Sequence, residues 1–182
     1  MSFHIVYPKP LPSRDNQTIP NEIGFSPTEI SSLRNGWRLI KQRFAYHSKQ
    51  IFMQFFQEHE QMLERFRNRE GKFNMNRLHQ HPQELLQTYG SLIEEGLDNS
   101  IYTNVLMTDI SQRHRMFGVT YDDVKLHTDH ITYYILEFLE KIISPTFVSG
   151  LQKCSGLITA YHCDDAYQGQ LENNSSNETI QN

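Results

Sequence analysis

From Val124 onward the positions Val124, Thr128, Ile131, Ile135, Phe138 and Ile142 fall four, three, four, three and four residues apart. That spacing lays one stripe along a helix of 3.6 residues per turn and does not fit a strand, whose side chains alternate with a period of two. The same period recurs along most of the chain. Ile30, Leu33, Trp37 and Ile40 form one stripe, and a second helix from about Ser48 carries Ile51, Phe52, Phe55 and Phe56. Leu78, Leu85, Tyr89, Leu92 and Ile93 make a third series, and Val105, Met107 and Ile110 lead a fourth. Phe147, Leu151, Cys154, Ile158 and Tyr161 close the set. Local signals agree with this reading. Ser26-Pro27-Thr28-Glu29 is a helix start, with Ser as the cap, Pro first and Glu three after the cap. Ser144-Pro145 breaks and restarts the chain, and Gly118 follows Phe117 as a stop. No stretch alternates strictly enough for a sheet, and there is neither an Asn-Gly nor an Asp-Gly hairpin. The expected class is all-α, with six or more helices and short connections.

Four of the seven prolines (Pro8, Pro10, Pro12 and Pro20) sit in the first twenty residues, so residues 1–25 are expected to be an extended or disordered lead. The end, residues 168–182, is polar with almost nothing to bury and is expected to be a disordered tail. The folded domain is placed at residues 26–167. A net charge of −4 over 182 residues leaves no electrostatic footprint for nucleic acid or an anionic membrane. No run of eighteen apolar residues is present to span a bilayer. The start lacks the basic and apolar blocks of a secretory signal. Cys154 and Cys163 fall nine positions apart on one expected helix. That is about 13 Å, too far for a bridge between them. Two reduced thiols and a cytoplasmic location follow as expectations.

The chemistry lies in two histidines. In ISQRHRMFGV (110–119), His114 shares a helical face with Ile110 and Phe117, where leucine would pack better. His81 lies between Leu78 and Leu85 on the inward stripe of another helix, 33 residues earlier. The rival on that helix, His79, points off the stripe. Two inward imidazoles on separate helices suit opposite sides of a flat prosthetic group, and imidazole ligates iron, copper and zinc. Zinc asks for three or four converging ligands, whereas these faces are otherwise Leu, Met, Phe and Tyr. A porphyrin brings four equatorial nitrogens of its own and needs an apolar slot, so haem is the economical occupant.

The order of these landmarks resembles the globin family. Trp37 occupies the place of the globin first-helix tryptophan, and Phe52, fifteen residues on, that of the distal-pocket phenylalanine. IFMQFFQEHEQMLERF (51–66) resembles the segment ending in the phenylalanine that packs flat on haem, here Phe66, although Glu60 replaces a common proline after His59. HPQELLQTYGSLIEEG (81–96) resembles the distal helix, with His81 at the distal position, Leu85 one turn later and Gly90 at a helix crossing. His-Arg-Met-Phe-Gly-Val (114–119) resembles the proximal segment of the neuroglobin-like branch, and Val119 and Val124 fit the apolar positions that follow. The segment between Phe66 and His81 is shorter than in vertebrate globins, so a short helix is expected to be missing there. Pro82 directly after His81 means either that the distal helix starts there, with His81 as its cap, or that it is kinked.

The resemblance implies a globin-like bundle of six to eight helices around a haem pocket. His114 is then the proximal iron ligand, its ring fixed by the carbonyl of Ile110 one turn earlier. His81 is a distal hydrogen-bond donor or a sixth ligand. Phe52 and Leu85 wall the distal side, and Phe66, Val119 and Val124 hold the ring, with Arg113 and Arg115 as candidate partners of its propionates. The implied function is reversible binding of dioxygen or another diatomic gas. The alternatives are a haem redox enzyme of the nitric oxide dioxygenase or nitrite reductase type, fed by an external reductase, and a gas or redox sensor.

Overall fold

The computed structural model describes residues 18–163. Most of the expected N-terminal lead and the whole polar tail lie outside them. The described residues are all-helical. The order is α1 (Pro27–Lys41), α2 (Phe44–Glu58), a 3-10 segment (Glu60–Phe66), α3 (Met75–Ser91), a π turn (Leu92–Gly96), α4 (Ser100–Met116), α5 (Tyr121–Phe138) and α6 (Pro145–Ala160). No helix among the described residues is long and apolar enough to cross a membrane.

Capping side chains define most of the ends. Ser26 accepts from the Glu29 N–H while the Glu29 carboxylate accepts from the Ser26 N–H, a reciprocal box at the start of α1. Thr120 and Asp123 repeat it at α5, and Asn74, Asn99 and Ser144 cap α3, α4 and α6. α4 ends where Gly118 takes a positive φ of 67°, a conformation an L side chain resists. There the Val119 N–H donates back to the His114 carbonyl at 3.0 Å, which folds the following loop under the end of α4.

The core forms where α1 packs on α6, α6 on α5 and α3 on α2. Ile30, Leu33, Trp37 and Ile40 of α1 are all buried, as are Phe147, Leu151, Cys154 and Ile158 of α6. Burying such side chains contributes about 1.5–3 kcal/mol each. α4 stands apart: its main backbone neighbour is the π turn before it.

Several sequence expectations need adjusting. α2 begins at Phe44 rather than near Ser48. The α5 stripe stops early, because the helix ends at Phe138, which is exposed; Leu139 takes the buried place and Ile142 faces solvent. Val105 is exposed as well. Cys163 lies just past the end of α6 rather than within it, and both cysteines are free. No helix separates Phe66 from Met75. α3 does not start at Pro82. It runs through it from an Asn74 cap, so the missing N–H of Pro82 falls inside the helix.

Two glycines test the packing in opposite directions. A Cβ on Gly36 would lie 2.2 Å from the Phe147 ring, where α1 meets α6. Gly36→Ala is therefore expected to cost about 1–3 kcal/mol through overpacking, read from the urea midpoint. Gly156, on the solvent side of α6, would meet nothing within 4 Å. Gly156→Ala is expected to stabilise by about 0.5–1 kcal/mol through helix propensity alone.

Candidate functional site

A cavity opens between α2 and α3 on one side and α4 and α5 on the other. Its volume is about 220 Å³, larger than the ~150 Å³ in which a dry protein cavity holds one benzene ring. All seven residues singled out in the sequence line it: His114, His81, Phe66, Phe52, Leu85, Val119 and Val124. His79 is exposed and lines a separate surface groove beside Pro82.

α2 and the 3-10 segment build an aromatic wall. Phe52, Phe56 and Phe66 meet edge to face, with centres 4.5–5.7 Å apart. His81 stands against this wall, its ring 5.9 Å from Phe52 and 5.3 Å from Phe66, both edge to face. Helix period places it there: with α3 continuous through Pro82, His81 and Leu85 lie one turn apart on the cavity side.

His114 enters from the last turn of α4. Its ring centre lies 6.5 Å from that of His81, with the planes at 64°. Metal–imidazole bonds run about 2.0–2.1 Å and each ring nitrogen lies about 1.1 Å from its ring centre, so two imidazoles opposed across one metal atom have centres about 6.3 Å apart. The observed separation of 6.5 Å is close to that value.

Both imidazoles are in the ligating form. Burial, with the charge of Arg77, pushes His81 down to about 4. Burial, followed by the charges of His162, His81, Arg77 and Arg113, pushes His114 down to about 3. Each is neutral at physiological pH, as metal binding requires. Among the described residues no group of three or more His, Cys, Asp or Glu side chains converges to hold a bare metal ion. A metal between these two rings must bring the rest of its coordination with it.

The ring of His114 is held differently from the expectation. The partner of Nδ1 is Nε2 of His162, at 2.8 Å, and not the carbonyl of Ile110. Ile110 still lines the cavity, but its carbonyl belongs to the helix. With Nδ1 engaged, Nε2 is the nitrogen of His114 left for the cavity.

Three arginines stand on the cavity lining, Arg65, Arg77 and Arg113. Arg65 is paired with Asp123 at 2.8 Å and Arg113 with Asp109. Arg77 lies over the Phe117 ring at 3.6 Å, a cation–π contact that holds the guanidinium at the rim. Arg115 does not line the cavity; it donates to the Cys163 carbonyl at 3.2 Å. Of the two arginines expected at an anionic ligand, only Arg113 is placed to meet one, and Arg77 joins it.

The sequence reading also missed His127. This ring stacks on Phe55 with centres 4.2 Å apart and planes at 24°, lines the cavity, and leaves its buried Nε2 without a hydrogen-bond partner. Burial, then the charges of the neighbouring histidines, pushes it down to about 3. Its signal was present: His127 lies three after Val124 and four before Ile131. Thr128 beside it fits the same stripe and drew the reading away.

No known family model matches the chain, and no curated protein matches it significantly.

Proposed function

We propose that this chain is a haem protein of the globin type, holding iron between His114 and His81 at rest and yielding the His81 position to a small diatomic gas. One observation carries the reading: two neutral imidazoles from different helices lie 6.5 Å apart, centre to centre, on a cavity whose wall is mostly apolar, with Arg65, Arg77, Arg113 and His127 as its basic groups. A planar tetrapyrrole supplies the four equatorial ligands that the protein lacks. Bound there, it would contribute a redox-active iron with affinity for dioxygen, carbon monoxide and nitric oxide.

The chain's own residues would do the rest. His114 holds the metal through Nε2. His81, already standing against the Phe52–Phe66 wall, would be a second ligand to the metal or a hydrogen-bond donor to a bound guest. Phe52 and Leu85 would limit the size of a guest, and Val119 and Val124 would help to keep water out of the cavity. Arg77 and Arg113, both on the cavity lining, would be the partners of the tetrapyrrole's carboxylates. Two free thiols suit a reducing, cytoplasmic setting.

The test is reconstitution of the purified chain with hemin, followed by the spectrum of the reduced, ligand-free form. Sharp, split visible bands are the expected result and mark two histidine ligands; one broad band would mean that His81 stays off the metal. Replacing His81 with leucine should merge the bands and raise the apparent affinity for carbon monoxide. If His81 blocks the position for 90–99% of the time, the gain is about 10–100-fold. A chain that stays colourless with excess hemin would end the proposal.

The redox-enzyme reading has one observation in its favour. His127 adds a third, unpartnered imidazole to the cavity wall, which simple storage of an apolar gas does not require. Steady consumption of nitrite or nitric oxide by the reconstituted chain with an external reductase, lost in His127→Phe, would favour turnover over storage.

A further inference from the structure

The end of α6 is tied to the last turns of α4 by a set of hydrogen bonds. The Ser111 hydroxyl donates to the Tyr161 carbonyl at 2.6 Å, and Arg115 donates to the Cys163 carbonyl at 3.2 Å. Between these two ties stands His162, 5% exposed. Its Nδ1 lies 2.8 Å from the Ile158 carbonyl and its Nε2 lies 2.8 Å from Nδ1 of His114.

These contacts fix every proton in the chain. A carbonyl oxygen only accepts, so the hydrogen of the first contact sits on His162 Nδ1. His162 is 5% exposed, and burial away from water favours the uncharged ring. A neutral ring that donates through Nδ1 offers a lone pair at Nε2, so His114 must be the donor in the second contact. His114, also neutral, then carries its hydrogen on Nδ1 and its lone pair on Nε2, the nitrogen left for the cavity. The direction runs from the backbone of α6, through one imidazole, to the other.

We infer that His162 is the positioning residue for His114: as a hydrogen-bond acceptor it selects the Nδ1–H tautomer and aims the Nε2 lone pair into the cavity. An acceptor on a neighbouring helix does what a carbonyl on the same helix cannot. It ties the ring to α6, so the torsion of the His114 side chain is set by the packing of two helices. Hydrogen bonds in series also polarise one another, which makes His114 a stronger electron donor than an isolated imidazole. The role rests on the proposal that His114 is a metal ligand, but the tautomer it predicts belongs to the metal-free chain and can be read there.

The experiment uses the full-length chain with 15N-labelled histidine. In the metal-free protein the nitrogen shifts should place one hydrogen on Nδ1 of both His114 and His162. A wild-type His114 carrying its hydrogen on Nε2 overturns the inference without any variant. His162→Phe keeps the bulk and removes the acceptor. It should release His114 into a mixture of tautomers, lower hemin affinity about 10–100-fold, as loss of an outer-shell partner does, and raise the reduction potential of the reconstituted protein. His162→Gln restores an acceptor oxygen and should recover most of the affinity. An unchanged tautomer and unchanged hemin affinity in His162→Phe would also overturn the inference. Should the wild-type chain bind no hemin while His114 shows the Nδ1–H form, the relay stands and the haem reading falls.

Discussion

His114→Ala is expected to cut hemin affinity by more than the roughly 100-fold that marks the upper range for an outer-shell partner, because on the proposed reading it removes a ligand itself. The fold should survive. Alanine is the best helix former, and His114 sits half-buried in the last turn of α4, where its side chain supports no apolar cluster. Far-ultraviolet circular dichroism should be unchanged. The substitution leaves a gap the size of an imidazole, with the acceptor Nε2 of His162 at its back. Added imidazole has the right atoms to fill it: its N–H donates to His162 and its other nitrogen faces the cavity. Hemin uptake should therefore return as imidazole is titrated in, and the double variant His114→Ala, His162→Phe should respond far less. His79→Ala, on the exposed side of α3, serves as the control and should bind hemin like the parent. Equal hemin affinity in His114→Ala and the parent would remove His114 from the site.

The residues around this cavity were legible in the sequence to unequal degrees, for identifiable reasons. α1 and α6 meet the rest of the molecule through apolar stripes, so their periodicity reads directly into burial, from Ile30 to Ile40 and from Phe147 to Ile158. α4 defeats the same rule. Its buried residues are Thr103, Met107 and Ser111, while Ile101 and Val105 face solvent. The reason is that α4 is fixed by polar ties. The Thr103 hydroxyl donates to the Gly96 carbonyl, and Ser111 and His114 reach the end of α6. A stripe search scores these side chains as surface. The end of α5 fails differently: once the helix stops, Phe138 and Ile142 no longer lie on the buried face that the spacing assigns them, and Leu139 is buried instead.

The histidines mark the limit of one-dimensional reading. His81 and His114 stood out because each interrupts an apolar run. His162 interrupts nothing and follows Tyr161 at the frayed end of α6, so no local pattern connects it with a residue 48 positions away. Pro82 shows the reverse case. A strong local rule argued for a helix boundary, yet α3 continues because Asn74 caps it upstream and Leu86 and Tyr89 bury it downstream. That continuity puts His81 on the cavity side, one turn before Leu85.

Glu29→Gln is expected to destabilise the protein by about 2 kcal/mol at neutral pH and by almost nothing near pH 2. Glu29 is only 7% exposed. Burial alone would raise its pKa, but donors surround it: Lys153 at 2.8–2.9 Å, the N–H and hydroxyl of Ser26, and the Ser149 hydroxyl. Together they outweigh burial and hold it at about 2. A fall from the ordinary 4.5 to about 2 is worth about 3 kcal/mol of preference for the charged, folded form, and partial exposure of Lys153 to solvent trims that to about 2. The sign follows from linkage. A carboxylate whose pKa is depressed by folding stabilises the fold above its unfolded value, and the benefit drains away as pH falls from about 4.5 through about 2. Glutamine keeps the shape but turns an NH₂ toward donors, so at neutral pH it leaves Ser26 or Lys153 without an acceptor. Once Glu29 itself is protonated, parent and variant present nearly the same groups. Urea unfolding at pH 7, 4 and 2.5 should show the gap between them closing in that order. A gap as wide at pH 2.5 as at pH 7 would mean that Glu29 acts through packing rather than charge, since about a quarter of the charge effect remains at that pH. The contact ties the start of α1 to α6, the helix that bears Ile158 and ends two residues before His162, so acid that releases Glu29 loosens the element that leads to the partner of His114.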